Sequence, residues 1–207
     1  MRTVVCCDDN KTFCDLLEIL LQEIKIKGTN DIKIVKVYNA DQLLQYCTDN
    51  EFDIIYLDIE LGSNENGERQ NGMKVAKKLK YINPKSLIIY ISVYDTYYVD
   101  MVQAEPFRFI KKDASDIPCL RRELESALSD ALTRLDDASK LTVVFNKREY
   151  TLELNKIKYF HSVARKIYVY GTLENMPIYF YEKMDELYEI LRDKDKSFER
   201  ISKSCIV

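Results

Sequence analysis

Over its first 112 residues the chain alternates between two textures. Short β-branched runs fall at 2–7, 32–38, 53–58, 86–91 and 106–111, and the stretches between them carry apolar residues at helical spacing. Phe13, Leu16, Leu17, Leu20 and Ile24 recur at i, i+3, i+4, i+7 and i+11, which puts one apolar face on a first helix. Gly28 follows as its expected stop. Leu43, Leu44 and Cys47, and then Met73, Ala76 and Leu79, make shorter stripes of the same kind. Strands alternating with helices predict βαβ units and a parallel sheet. The runs TVVCC, DIIYL and SLIIYI are almost continuously apolar, as strands buried on both faces are.

Leu120, Leu124, Ala127, Leu128, Ala131 and Leu135 predict a long helix from about 114 to 137, and the polar tail LDDASK leads out of it. Beyond Lys140 the pattern changes. LTVVF, EYTLEL, KIKYFHS, KIYVYG and MPIYFYE follow one another closely as strand candidates, with one helix expected around 182–192. Tyr150, Tyr159, Tyr168, Tyr170, Tyr179 and Tyr181 lie in or beside these runs. This half reads as mostly antiparallel β.

Composition narrows the class. Of 207 residues, 46% are hydrophobic and 31% charged, which suits a globular chain with a real core. The net charge of -3 conceals an acidic front, with 18 basic against 24 acidic residues up to 139, and a mildly basic back, with 13 against 10. Two domains with different partners fit that division. The start, MRTVVCCDDN, is broken by carboxylates before a secretory apolar stretch could form, and no run approaches the roughly 20 residues of a membrane span. Cys6, Cys7, Cys14, Cys47, Cys119 and Cys205 show no C-x-x-C spacing and read as reduced thiols. A cytoplasmic protein without a membrane partner is expected.

The candidate chemistry sits at strand ends. Asp8 and Asp9 follow TVVCC, Asp58 follows DIIYL, Ser92 follows SLIIYI and Lys112 follows PFRFIK. Ligands of open α/β sheets bind beyond the carboxyl ends of the strands. Carboxylates gathered there suit Mg²⁺, which prefers hard oxygen donors. An ionised Asp can attack phosphorus, with a metal and a lysine offsetting the charge on the transferred oxygens. The plainer reading is that Asp9 and Asn10 cap the first helix. A phosphatase or phosphotransferase is a rival, although such enzymes often carry Asp-x-Asp where this chain has Asp58-Ile59-Glu60.

The segments CDDN, DIIYLDIEL, ISVYD and FRFIKK together resemble the receiver domain of two-component response regulators, across about residues 1–125. The resemblance implies a flavodoxin-like α/β fold, a five-stranded parallel sheet with flanking helices, its last helix running on to about 137. It implies Asp58 as phospho-acceptor for a sensor histidine kinase, and no enzyme activity beyond autocatalysed phosphotransfer to Asp58. Mg²⁺ would be held by Asp8, Asp9, Asp58 and the main-chain carbonyl of Glu60, with Asp9 direct and Asp8 largely through water. Lys112, three residues after the aromatic Phe109, would be the charge partner, Lys111 being the competitor, with Ser92 and Phe109 as the switch pair. Asp113 stands where the family usually has a proline, and the polar LGSNENGERQNG replaces a shorter loop after Asp58. Gly72 would open the next helix.

Residues 126–139 would then be helix end and linker, and 140–207 a mostly antiparallel β domain resembling the LytTR-type DNA-binding domain, incomplete at its C-terminal end. KIKYFHSVARKIYVYG resembles that family's strand–loop–strand, YEKMDELYEIL its helix and FERISKS its signature, with Ser202 at the histidine position. The resemblance implies DNA contacts from Ser162, Ala164, Arg165, Lys166, Arg200, Ser202, Lys203 and Ser204. It implies promoter DNA with paired half-sites, a homodimer on phosphorylation, and an open sheet edge where strands are lacking. His161 reads as a strand-edge residue. The alternative is a C-terminal half that works through protein contacts, which its tyrosines would suit.

Overall fold

The computed structural model describes residues 1–24, 32–63, 67–93, 106–171, 178–195 and 197–207. The chain divides into two compact units, Met1–Leu132 and Thr133–Val207. The division falls inside a helix, between the expected limits of 125 and 140.

The first unit is built on β1 (Arg2–Cys7), β2 (Ile32–Val37), β3 (Ile54–Asp58), β6 (Leu87–Ser92) and β7 (Arg108–Lys111), in the order β2-β1-β3-β6-β7 and parallel throughout. This is the predicted five-stranded sheet. Between its strands lie α1 (Lys11–Glu23), α2 (Ala40–Asp49) and α3 (Gly72–Ile82), and α4 (Ile117–Ala138) follows β7. Strands alternate their side chains between faces, so β1 and β3 carry two apolar sets. Val5, Cys7, Ile55, Leu57, Ile88 and Tyr90 pack against Leu43 and Cys47 of α2 and Val75, Ala76 and Leu79 of α3. The opposite set, with Val4, Cys6, Ile54 and Tyr56, is equally buried. An ion pair of 2.7 Å between Arg121 and Glu23 ties α4 to α1.

Three of these helices, α1, α2 and α3, start at an asparagine cap. Asn10 accepts from the Phe13 amide at 3.1 Å, Asn39 from Gln42 at 2.8 Å and Asn71 from Met73 at 2.8 Å. The capping role therefore belongs to Asn10, which leaves Asp9 for other work. Helix α1 ends at Glu23, and Ile24 turns extended yet stays buried, so the apolar stripe overruns the helix by one residue. Gly28 lies outside the described residues.

The loop after Asp58 is not plain coil. Its ends form an antiparallel hairpin, β4 (Glu60–Ser63) and β5 (Arg69–Asn71), with a bulge between the paired positions Glu60–Asn71 and Ser63–Arg69.

The second unit opens with the hairpin of β8 (Lys140–Phe145) and β9 (Arg148–Glu153), followed by a sheet of order β12-β11-β10-β14-β13. Its strands are β10 (Ile157–Val163), β11 (Lys166–Gly171), β12 (Tyr179–Phe180), β13 (Arg200–Ser202) and β14 (Cys205–Ile206), antiparallel in every pair. Helix α5 (Met184–Lys194) buries Met184, Leu187 and Leu191 in a core with Phe160, Ile167, Val169, Phe180, Phe198 and Ile206. The mostly antiparallel β unit is thus as expected, with two corrections. Among its described residues, MPIYFYE supplies a two-residue strand. His161 does not lie at an edge: it stands in an inner strand, opposite Tyr168 and Cys205.

Candidate functional site

Asp58 is the last residue of β3, and Asp8 and Asp9 follow β1 directly. Because β1 and β3 are adjacent and parallel, their carboxyl ends meet. Oxygens of Asp8, Asp9 and Asp58 lie within 4.8 Å of one another. Asp8 and Asp58 are buried and Asp9 is exposed. Three carboxylates of unequal exposure make a hard, anionic donor set with one open side, which fits a small divalent cation.

Lys112, just past β7, reaches across two strands into this cluster. Its Nζ donates to Asp8 Oδ2 at 2.6 Å and to Asp58 Oδ2 at 2.7 Å, and it lies 4.6 Å from the Phe13 ring centre. Lys111, the competitor, pairs in register with Ser92 and points to solvent. Burial works against the Lys112 ammonium, but its hydrogen bonds to Asp58 and Asp8 outweigh that and hold its pKa above the ordinary lysine value. Burial raises the Asp8 carboxyl to about 6, the Lys112 hydrogen bond pulling the other way and the charge of Asp58 adding to the rise. The Asp8 Oδ1 also accepts from the Asn10 amide at 2.9 Å.

A cavity of about 760 Å³ opens over this cluster, lined on one side by Asp9, Asp58, Ser92 and Lys112 and on the other by hairpin residues from Glu60 to Asn71. Ser92 is the buried last residue of β6, and its carbonyl accepts the Lys112 amide at 2.8 Å. Phe109, on β7, is half-buried against the α2–α3 core. The Glu60 amide donates to Asp58 Oδ1 at 3.1 Å, so the chain turns sharply after the aspartate. Gly72 has no room for a side chain, since a Cβ there would sit 2.1 Å from the Asp58 carbonyl oxygen. At Asp113 the chain turns through a local motif, its carboxylate accepting from Ser115 N at 2.9 Å and Ser115 Oγ at 2.6 Å. Peptide bonds among the described residues are trans.

The thiols nearby are sealed. Cys6, Cys7, Cys14 and Cys47 are buried and free. Burial pushes Cys14 and Cys47 up to about 12, so neither is a ready nucleophile.

In the second unit, the structure brings the two predicted contact segments together. The chain between β10 and β11 is a two-residue turn at Ala164 and Arg165, with φ of 50° and 65°. Lys203 and Ser204 turn the β13–β14 hairpin beside it, and the Ser162 amide donates to the Ser204 carbonyl at 2.8 Å. Arg165 and Lys203 are exposed, and Lys166 holds its Nζ 4.3 Å from the Tyr179 ring centre. Arg200 is occupied otherwise. It pairs with Asp185 of α5 and donates to the carbonyls of Ser202 at 3.0 Å and Lys203 at 3.2 Å.

Sequence reasoning missed the hairpin wall with Arg69, Gln70 and Asn71. Its polar residues carry no alternation, and only Asn71-Gly72 hinted at a structured end.

Comparison with known proteins agrees with the first unit's architecture. The sensory transduction protein LytT of Bacillus subtilis is 26% identical over 113 residues, which are 54% of this chain and 42% of that protein. The chain therefore matches less than half of that relative's length. The receiver domain of Francisella response regulator 1452 superposes with a TM-score of 0.51 at 18% identity, over 65% of this chain and 98% of that one. The response regulatory domain of protein mrkE from Klebsiella pneumoniae gives 0.50 at 20% identity, over 63% and 95%. These structures show the fold. Residues 4–125 match the response regulator receiver domain family as a whole, and with the sheet order and the acidic strand ends in place, the chain belongs to that family of two-component signalling proteins.

Proposed function

We propose that this chain is a phosphorylation-dependent, DNA-binding response regulator, and that Asp58 accepts a phosphoryl group from a sensor histidine kinase. The observation that carries this reading is the double hydrogen bond of Lys112 to Asp58 and Asp8, beside the open Asp9. Asp58 keeps one oxygen, Oδ1, turned to a main-chain amide rather than to the lysine. Its carboxylate attacks phosphorus, the bond from phosphorus to the donor imidazole nitrogen breaks, and the imidazole leaves with that electron pair. The result is an aspartyl phosphate on a chain that turns over no other substrate.

Asp8, Asp9, Asp58 and the main-chain carbonyl of Glu60 would hold Mg²⁺, which offsets negative charge on the transferred oxygens. Lys112 then has a phosphoryl oxygen to bind in exchange for a carboxylate. The Ser92 hydroxyl lines the same cavity and can hydrogen-bond the new group, while Phe109, half-buried one strand away, follows it. Such a two-state shift would favour a homodimer.

The second unit supplies the output of the LytTR type. Arg165 and Lys203, on neighbouring exposed turns, are suited to phosphates or base edges of promoter DNA, with Ser162, Ala164, Lys166, Ser202 and Ser204 around them. Arg200 acts here as the brace that shapes the Lys203 turn. All of this belongs in the cytoplasm, with kinase and promoter. A second reading, a protein-binding output, is favoured by the exposed stack of Tyr159 on Tyr170, with ring centres 4.4 Å apart.

The test is binding to duplex fragments from the regulator's own upstream region, before and after treatment with phosphoramidate and Mg²⁺. The expected result is tighter, salt-sensitive binding after phosphorylation, lost in Arg165→Ala with Lys203→Ala. Binding indifferent to phosphorylation and to both substitutions would defeat it.

A further inference from the structure

The acidic cavity is poor in positive charge for the anion it is meant to receive. Asp9, Asp58 and Glu60 line it, and Lys112 is already bound to Asp58 and to the buried Asp8. The opposite wall, the β4–β5 hairpin, is held from several sides. Asn71 caps α3, and the Gly72 amide donates to the Ile59 carbonyl at 2.8 Å. Gln70 accepts from the Ala40 amide at 3.1 Å and donates to Asp41 at 3.1 Å, which fastens the wall to the start of α2. Gly62, with φ of 68°, lies so close that a Cβ there would stand 2.8 Å from Asp9 Oδ2. One arginine belongs to this fixed wall. Arg69 opens β5 next to Gln70, lines the cavity, is exposed, and makes no ion pair among the described residues.

From this we infer that Arg69 is an anion-recognition residue of the phosphorylation site: its guanidinium binds oxygens of the incoming phosphodonor and holds phosphorus in front of Asp58. An arginine offers paired N–H donors that match two phosphoryl oxygens at once, and a lysine offers only a point charge. The β5 backbone, paired with Ser63 at Arg69 and anchored just after it through Gln70 and Asn71, limits the freedom lost when the side chain closes on the donor. The hairpin thus replaces a short loop with a wall that adds a second side-chain cation to Lys112.

This rests on the proposed phosphorylation of Asp58, so the experiment separates the two. Full-length protein, Arg69→Gln and Arg69→Lys are treated with phosphoramidate and Mg²⁺, and the rate of mass gain is followed against donor concentration. The expected result is a rise of about 10-fold or more in the half-saturating donor concentration for Arg69→Gln, the size of a lost charged hydrogen bond, with partial recovery in Arg69→Lys. The thermal midpoint and the Mg²⁺ affinity of the variants should match wild type, since Arg69 is exposed and no ligand of the cluster. If wild type gains no mass, the phosphorylation reading itself fails. If wild type is phosphorylated and Arg69→Gln follows the same concentration dependence, Arg69 has no part in donor recognition. A slowed variant whose Mg²⁺ affinity falls equally would also overturn the inference, because the defect would then lie in the acid cluster.

Discussion

Replacing Asp8 by asparagine should make the metal-free protein more stable. Asp8 is a buried carboxyl raised from 3.8 to about 6, a rise of about 2 units that corresponds to roughly 3 kcal/mol of unfavourable charging in the folded state. Coulomb's law gives the same sign. At an effective dielectric of 20, two carboxylates within 4.8 Å cost about 3.5 kcal/mol each, and the ammonium at 2.6 Å returns about 6. The charges nearly cancel, so burial decides the outcome. The asparagine keeps an acceptor for the Asn10 amide but gives up the bond from Lys112, which costs about 1 kcal/mol. A net gain of about 2 kcal/mol remains, or roughly 5–10 °C for a unit of this size. The assay is urea and thermal unfolding in EDTA at pH 7.5 and pH 4. A raised carboxyl destabilises above its folded pKa and ceases to do so as pH falls towards 3.8. The advantage of Asp8→Asn should therefore be full at pH 7.5 and nearly absent at pH 4. Added Mg²⁺ should raise wild-type stability, by about 2.7 kcal/mol at a hundredfold excess over its Kd, and raise the variant's much less. A variant less stable than wild type at pH 7.5, or an advantage unchanged at pH 4, would refute the reasoning.

Other substitutions test other parts of the molecule. Gly72→Ala drives a methyl to 2.1 Å from the Asp58 carbonyl oxygen, so it should cost about 1–3 kcal/mol or more by urea titration and also weaken Mg²⁺ binding. Lys147, at φ 62° in the turn between β8 and β9, should become a stabilising site as Lys147→Gly, by about 1 kcal/mol in thermal unfolding. The Tyr56 hydroxyl is buried without a hydrogen-bond partner among the described residues, so Tyr56→Phe should leave stability unchanged or raise it by about 1 kcal/mol in urea unfolding, and a clear loss would contradict that.

The strand ends of the first unit were legible because apolar runs stop at charged residues. TVVCC stops at Asp8, DIIYL at Asp58, and parallel pairing then brings those ends to one edge. The choice of Lys112 over Lys111 was legible only through the aromatic three residues before it. In the structure the reason is that Lys111 still belongs to β7, opposite Ser92, while Lys112 has left it. The β4–β5 hairpin was not legible, because its pairs form between polar residues across a bulge, and the single buried Leu61 of β4 makes no alternating apolar face to set a register. A loop at Ala164 and Arg165 was legible from the strand runs on either side of it, but its tight two-residue form was not. Two residues at positive φ usually announce themselves as Asn-Gly, and here the strands impose that conformation on Ala and Arg. The run MPIYFYE suggested a longer strand than the two residues paired among its described positions, since aromatic content alone says little about where pairing ends.

Everything proposed for this protein turns on Asp58 taking a phosphoryl group within this cluster of acids. Intact-protein mass spectrometry after incubation with phosphoramidate and Mg²⁺ tests it most directly. The expected result is a gain of one phosphoryl group, located on Asp58, absent in Asp58→Asn and suppressed by EDTA. No gain in the wild type, or a gain that survives Asp58→Asn, would contradict it.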